Sequence, residues 1–231
     1  PQWQNYPQVF EIVSWGAWTW NSVLIATSAT FGAVLTAALV GYSFARFRYP
    51  GRTILFMITM STMMLPVEVT LIPLYLGFAK IGWMDSYKPL IVPSFFGGGA
   101  FLIFLMRQFF MSIPIDLDEA ARLDGAGYLR IFWQILMPLS VPVTATAAVL
   151  TFMGEWNSFL HPFIFLNTKA KFTLAVGIRY FQSVAVVTDD TEPKYHLLMA
   201  ASVMMTLPII LMFFLAQRYL VQGIVMSGIK G

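Results

Sequence analysis

Residues 107–138 read Arg107-Gln-Phe-Phe-Met-Ser-Ile-Pro-Ile-Asp-Leu-Asp-Glu-Ala-Ala-Arg-Leu-Asp-Gly-Ala-Gly-Tyr-Leu-Arg-Ile-Phe-Trp-Gln-Ile-Leu-Met-Pro138, a polar interruption in an otherwise apolar chain. Ser112 and Pro114 open a short helix, with Asp116, Asp118 and Glu119 near the positive end of its dipole. Ala120 and Ala121 favour helix and carry almost no side chain, so another surface can approach that backbone closely. Gly125 and Gly127 end the helix and permit a turn. Leu129, Phe132, Trp133 and Leu136 then recur at helical spacing on a second, amphipathic helix, and Pro138 is expected to start the next apolar run. The pattern predicts a helix–turn–helix too polar to lie in hydrocarbon.

What flanks this loop is long enough to cross a bilayer, which takes about 20 apolar residues for a core of roughly 30 Å. Trp20 to Tyr42 contains no charge, and Thr53 to Ala79 is broken only by Glu68. Pro89 to Met106 and Leu197 to Gln217 are uncharged, and the run after the loop passes Glu155 toward Leu166. Five spans are predicted, at about 20–42, 53–79, 89–110, 138–166 and 197–219, with the loop at about 111–137. They form one all-α integral membrane domain over 1–231. The runs lack the ten-residue alternation of an outer-membrane barrel.

Composition agrees. Of 231 residues, 58% are hydrophobic and 11% charged, against about 25% charged in soluble domains. That excludes an ordinary soluble enzyme and a disordered chain, and the absence of cysteine excludes a disulfide scaffold. The sequence starts at Pro1 and has no Lys or Arg in its first 30 residues, so no signal peptide is visible. The natural start, with a further span, is expected to precede it.

With five spans the two ends face opposite sides. Arg46, Arg48, Arg52, Arg107, Arg122, Arg130, Arg218 and Lys230 share one side; Lys80, Lys88, Lys169, Lys171, Arg179 and Lys194 share the other. The short Arg46–Arg52 turn, with three arginines and no acid, decides the orientation. It places that turn, the 107–130 loop and the C-terminus in the cytoplasm. The net charge of +3 implies no nucleic-acid partner, because the basic residues flank spans.

The loop resembles the EAA loop of ABC importer permeases, whose pattern is E-A-A, three residues, G, nine residues, I-x-L-P. Here it reads Glu119-Ala120-Ala121, Gly125, Ile135 and Pro138, with Met137 in place of Leu, a nearly volume-conserving change. Further stretches are similar to the maltose-type, carbohydrate-uptake branch. These are Trp20-Asn21-Ser22, Met64-Leu65-Pro66 to Tyr75, Glu155 to Leu160, Phe172 to Gly177, Leu198 to Ser202 and the closing Gly223 to Gly231. The likeness covers about residues 15–231, and members usually have six spans with both ends inside.

The resemblance implies a type I ABC importer fold and a multi-pass subunit of a bacterial or archaeal cytoplasmic membrane. Its partners would be a second homologous permease, two ATPase subunits and an extracytoplasmic sugar-binding protein. Asp118, Glu119, Ala120, Ala121, Asp124, Gly125 and Ala126 are then the expected ATPase-docking residues. The chain has no phosphate-binding G-x-x-x-x-G-K-[ST] loop, so ATP and Mg belong on the partner subunits and no cofactor or catalytic residue is expected here.

Ala29, Ala33, Ala37 and Gly41 form a small-residue face suited to close helix packing. Gly97-Gly98-Gly99 implies close packing or local unwinding, which survives at membrane depth only against protein or water. Acids at that depth are costly, so Glu68 and Glu155 are either path residues or structural hydrogen-bond partners. Glu155-Trp156-Asn157-Ser158 offers polar groups beside an aromatic, as sugar sites do, or else a kink before Pro162. The substrate-path candidates are Glu68, Glu155, Trp156, Asn157 and Ser158. His161 and His196 lack metal-ligand spacing and read as interfacial, with no metal site. Asp189-Asp190-Thr191-Glu192 reads as an external loop facing a binding protein. The rival readings are an ion-coupled secondary transporter or channel, which needs coupling-ion or filter chemistry, and a polytopic membrane enzyme, which needs clustered catalytic side chains.

Overall fold

The computed structural model describes residues 2–187 and 194–228, so the 189–192 acidic run and Lys230 lie outside the described residues. Every regular element among the described residues is helical. The principal helices are α1 (Trp15–Arg46), α2 (Arg52–Ser61), α3 (Val67–Lys80), α4 (Ala100–Ser112), α5 (Asp116–Leu123), α6 (Val141–Asn157), α7 (Leu174–Val187) and α8 (Tyr195–Gly228).

Three of the expected spans are long apolar segments, within Trp15–Arg46, Lys88–Ser112 and Tyr195–Phe214. The other two are broken. The 53–79 run divides between Arg52–Met64 and Glu68–Lys80, because Leu65, ahead of Pro66, is extended at φ −78°, ψ 120°. Proline's ring crowds the preceding residue out of the helical region.

The 138–166 run is interrupted near Ser140 and again after Asn157. Tyr128–Leu139 and Val141–Asn157 meet at 79°, so Pro138 closes the amphipathic helix and α6 starts at Val141. A π-turn over Phe132–Leu136, closed by the Met137 N–H on the Phe132 carbonyl, precedes the proline. Pro138 has no N–H for the Gln134 carbonyl and its ring crowds it, so the widened turn relieves the clash. Beyond Asn157 the chain restarts as a short helix, Leu160–Phe165.

The helices pack into two compact units: Pro1–Ala29 with Ile72–Val92 and Phe152–Leu215, and Thr30–Leu71 with Pro93–Thr151 and Ala216–Gly231. The first is built on Trp18 and Trp156, both buried, with Val9, Leu174, Phe181 and Ala201. Trp18 Nε1 donates to the Lys169 carbonyl at 2.8 Å, and Asn21 Nδ2 donates to the Ala170 and Phe172 carbonyls at 2.8 and 3.0 Å. Ser22 Oγ accepts the Leu174 N–H at 2.8 Å, satisfying a donor that the start of α7 would leave unpaired. The polar residues that open α1 therefore fix the Lys169–Leu174 turn.

In the second unit the small face of α1 does the work expected of it. Ala33, Ala37 and Ala38 are buried against Leu102, Ile103, Met106 and Phe110 of α4. A Cβ on Gly41 would lie 2.9 Å from the Met106 Cβ and 3.0 Å from the Arg107 nitrogen. Gly97, Gly98 and Gly99 all have positive φ, at 109°, 66° and 92°, so this stretch is unwound. It is held against protein: a Cβ on Gly98 would run into the Ala33 carbonyl, and Thr36 Oγ1 donates to the Ser94 carbonyl at 3.2 Å.

Candidate functional site

The loop quoted at the outset folds as the predicted helix, turn and second helix from Tyr128, but Ser112 closes α4, its Oγ donating to the Phe109 carbonyl at 2.7 Å, and α5 starts only at Asp116. Gly125, at φ 80°, terminates α5. Its N–H bonds the Arg122 carbonyl at 3.0 Å and the Ala126 N–H bonds the Ala121 carbonyl at 2.9 Å, the paired bonds of a Schellman cap.

α5 has two chemically distinct faces. Asp118 and Ala121, three apart and therefore on one side, are buried; Ala121 belongs to the core with Ile113, Ile131 and Phe132. Glu119, Ala120, Asp124 and Gly125 are exposed, Ala126 is half-buried, and Leu123 is 90% exposed. The docking set expected from sequence therefore divides. Asp118 and Ala121 hold the helix to its own chain and are not available to a partner. Glu119, Ala120, Asp124 and Gly125 remain on the free face. Leu123 was missed by the sequence reading, its one signal being the alternation of polar and apolar residues along the short helix.

Asp118 meets Arg46, the last residue of α1. Arg46 Nε lies 3.1 Å from Asp118 Oδ2, with the two side chains 4% and 0% exposed. The N–H points off the line of that oxygen, so the contact is an ion pair without a well-aligned hydrogen bond. Arg46 also donates from a terminal guanidinium nitrogen to the Ile113 carbonyl at 3.0 Å. Burial pushes the Asp118 carboxyl above its ordinary range, while Arg46 and Arg122 pull it back. One turn earlier on α1, Tyr42 donates to the Tyr128 carbonyl at 3.2 Å and packs on Phe132, with ring centroids 5.3 Å apart. The Arg122 guanidinium covers the Tyr128 ring at 5.0 Å.

The substrate-path candidates are not alike. Trp156 is corrected to a core residue. Its indole is 1% exposed, stacks on Phe152 at 5.7 Å and donates from Nε1 to the Met205 carbonyl at 3.2 Å, so it presents no face for a sugar. Glu155 and Ser158 are half-buried, and Asn157 is exposed with Nδ2 donating to the Met153 carbonyl at 2.8 Å. Glu68 is exposed in the first turn of α3, where a carboxylate is favoured by the helix dipole. It belongs to the other packing unit. His161 lies against the Phe165 ring, with centroids 6.2 Å apart.

A network that sequence did not reveal centres on Asp85. Its carboxylate accepts from the Asn167 and Thr168 N–H groups at 3.0 and 2.9 Å, from Thr168 Oγ1 at 2.6 Å and from Lys171 Nζ at 2.8 Å. The Lys171 ammonium and Thr168 donors hold this carboxyl well below the usual range.

These features define a polytopic, all-helical membrane protein whose short amphipathic helix α5 has one face buried and one exposed. Residues 33–226 match the model of the family described as binding-protein-dependent transport system inner membrane component, and the chain belongs to that family. It is 33% identical over 216 residues to the arabinooligosaccharides transport system permease protein of Halalkalibacterium halodurans, covering 93% of this chain and 75% of that protein. It is 35% identical over 231 residues to the sn-glycerol-3-phosphate transport system permease protein of Yersinia pestis, covering 97% and 80%. A solved bacterial ABC transporter that imports the acidic polysaccharide alginate shares the fold at TM-score 0.79 and 23% identity, covering 94% of this chain and 79% of that one. The MetNI methionine ABC transporter matches at TM-score 0.60 and 18% identity, covering 88% and 93%. The chain is thus a permease of the ABC importer class and neither a secondary transporter nor a channel. Membership implies ATPase subunits and a binding protein as partners.

Proposed function

We propose that this chain is one of two homologous permeases which, with two ATPase subunits, import a sugar, an oligosaccharide or a related polyol or sugar phosphate delivered by an extracytoplasmic binding protein. The printed functions of its relatives, arabinooligosaccharide and sn-glycerol-3-phosphate transport, support that substrate class. The observation that carries the mechanism is the free face of α5. Glu119, Ala120, Leu123 and Asp124 stand clear of a helix anchored from behind by Asp118 and Ala121.

Glu119 supplies charge for the ATPase cleft, Ala120 permits close approach and Leu123 supplies an apolar anchor of the kind that carries interface energy. ATP and Mg act on the ATPase subunits. Closure of those subunits displaces α5, and the spans answer by alternating access, because packed helices shift between discrete arrangements. Glu68, Glu155, Asn157 and Ser158 are the polar groups proposed to face the path.

Reconstitution with ATPase subunits and binding protein tests this directly. Glu119→Lys is expected to leave membrane insertion intact while lowering ATPase association or stimulated ATP hydrolysis at least tenfold. Normal copurification with normal stimulated hydrolysis would overturn the docking assignment.

A further inference from the structure

α5 is tied to the rest of the chain in two ways, and they differ in stiffness. The covalent links on either side are not helical: Ile113 is extended at φ −77°, ψ 130°, Gly125 is left-handed at φ 80° and Gly127 is extended at φ −77°, ψ 166°. Such links bend, so the backbone alone does not make α5 move as one body with α4 or with the Tyr128 helix. Ala121 packs with Ile131 and Phe132 and Arg122 covers the Tyr128 ring, but among the described residues the polar ties from a long span come from α1. Arg46 reaches the Ile113 carbonyl ahead of α5 and Asp118 within it, and Tyr42 reaches the Tyr128 carbonyl beyond it. The Arg46 and Asp118 side chains are almost wholly enclosed, where screening by salt and water is weak.

Stability alone is a poor reason for such a pair, since apolar residues of similar volume serve a buried site as well or better. What an ion pair adds is a fixed register between two helices. Asp118 stands next to Glu119, on the opposite side of the helix from the free face, so a push on the free face is received directly behind it. α1 is one continuous helix of 32 residues, and a displacement taken up at Arg46 is passed along its axis.

On the reading that α5 docks the ATPase, we propose that Arg46 and Asp118 are positioning residues, a strut that makes α1 move with α5 and delivers the ATPase stroke to the first described span. Glu119 makes the partner contact; Asp118 and Arg46 set which span follows it.

The chain contains no cysteine, which permits paired spin labels at Arg48→Cys and Leu117→Cys, both exposed positions, in the full complex with its ATPase subunits. With the native pair, the label distance is expected to stay single and unchanged between the nucleotide-free and the ATP-plus-vanadate states. In Arg46→Met/Asp118→Leu, and more mildly in Asp118→Asn, the ATPase subunits still copurify. The distance then splits or shifts in the ATP-plus-vanadate state by a few ångström, the scale of helix displacements at interfaces. A native, nucleotide-independent distance in both variants overturns the strut. So does loss of ATPase association in both, which would make the pair a fold element. Glu119→Lys in the same preparation separates the two ideas. If it keeps its ATPase the docking reading has failed, whereas if it loses the ATPase while the pair variants behave as native, only the strut has failed.

Discussion

Asp85 holds a backbone φ of 52°, a region that costs a non-glycine residue about 1 kcal/mol or more. It stays there because four donors converge on its carboxylate and its own N–H bonds the Phe165 carbonyl at 2.9 Å. Asp85→Ala should lower stability by about 2 kcal/mol, given the worth of hydrogen bonds to a charged group, and Asp85→Asn by less, as read from thermal melts in detergent. The folded carboxyl titrates below its unfolded value, so its contribution is complete above about pH 4, where an unfolded Asp is ionised, and is lost on further acidification. The gap between native protein and Asp85→Asn should therefore be constant from about pH 5 to 8 and narrow below about pH 4. None of this was legible in sequence, because the partners lie 82 to 86 residues away. Trp156 failed for a related reason: an aromatic beside polar residues reads alike in a binding site or a core, and only the Met205 carbonyl decides it. Asp118 and Glu119 are neighbours of one chemical type, and the helical turn sends one inward and the other out.

Helices were legible where the apolar run continued, even through Pro208 of α8, and less so where Pro66 and Pro138 govern the backbone. The Leu65-Pro66 break and the bend at Ser140 both follow from proline geometry, yet hydropathy alone runs through each without a signal. The glycine triplet was read as close packing or unwinding, and it is both. Gly98→Ala adds a Cβ that the Ala33 carbonyl already excludes, so it should cost more than Gly51→Ala. Gly51 also has positive φ, at 80°, but open space around it. The latter should lose only the left-handed penalty of about 1–2 kcal/mol, while the former loses the packing of α4 on α1 as well. Expression and melting of the two variants, compared in parallel, measure the difference. Equal stability would mean that the unwound stretch does not seat on α1.

At the scale of the whole molecule, the EAA spacing was sufficient to indicate a transport subunit, because its residues encode a cap, a close-approach surface and a turn within one short loop. The division into two packing units was not visible, since no linker or change of composition marks it. Orientation rests on the arginines of the 46–52 turn, and Ser227→Cys tests it: the thiol should resist an impermeant reagent in intact cells and react once the membrane is opened. Losing transport in Asn157→Leu or Glu68→Gln, with ATPase association preserved, would support the proposed path; unchanged uptake in both would remove these residues from it. The central claim is that the free face of α5 meets the ATPase. A photo-cross-linker on Leu123→Cys, with Lys80→Cys, expected on the opposite side of the membrane, as control, tests it in the assembled complex. The account predicts an ATPase adduct from position 123 and none from position 80. An adduct from 80 with none from 123 would contradict it.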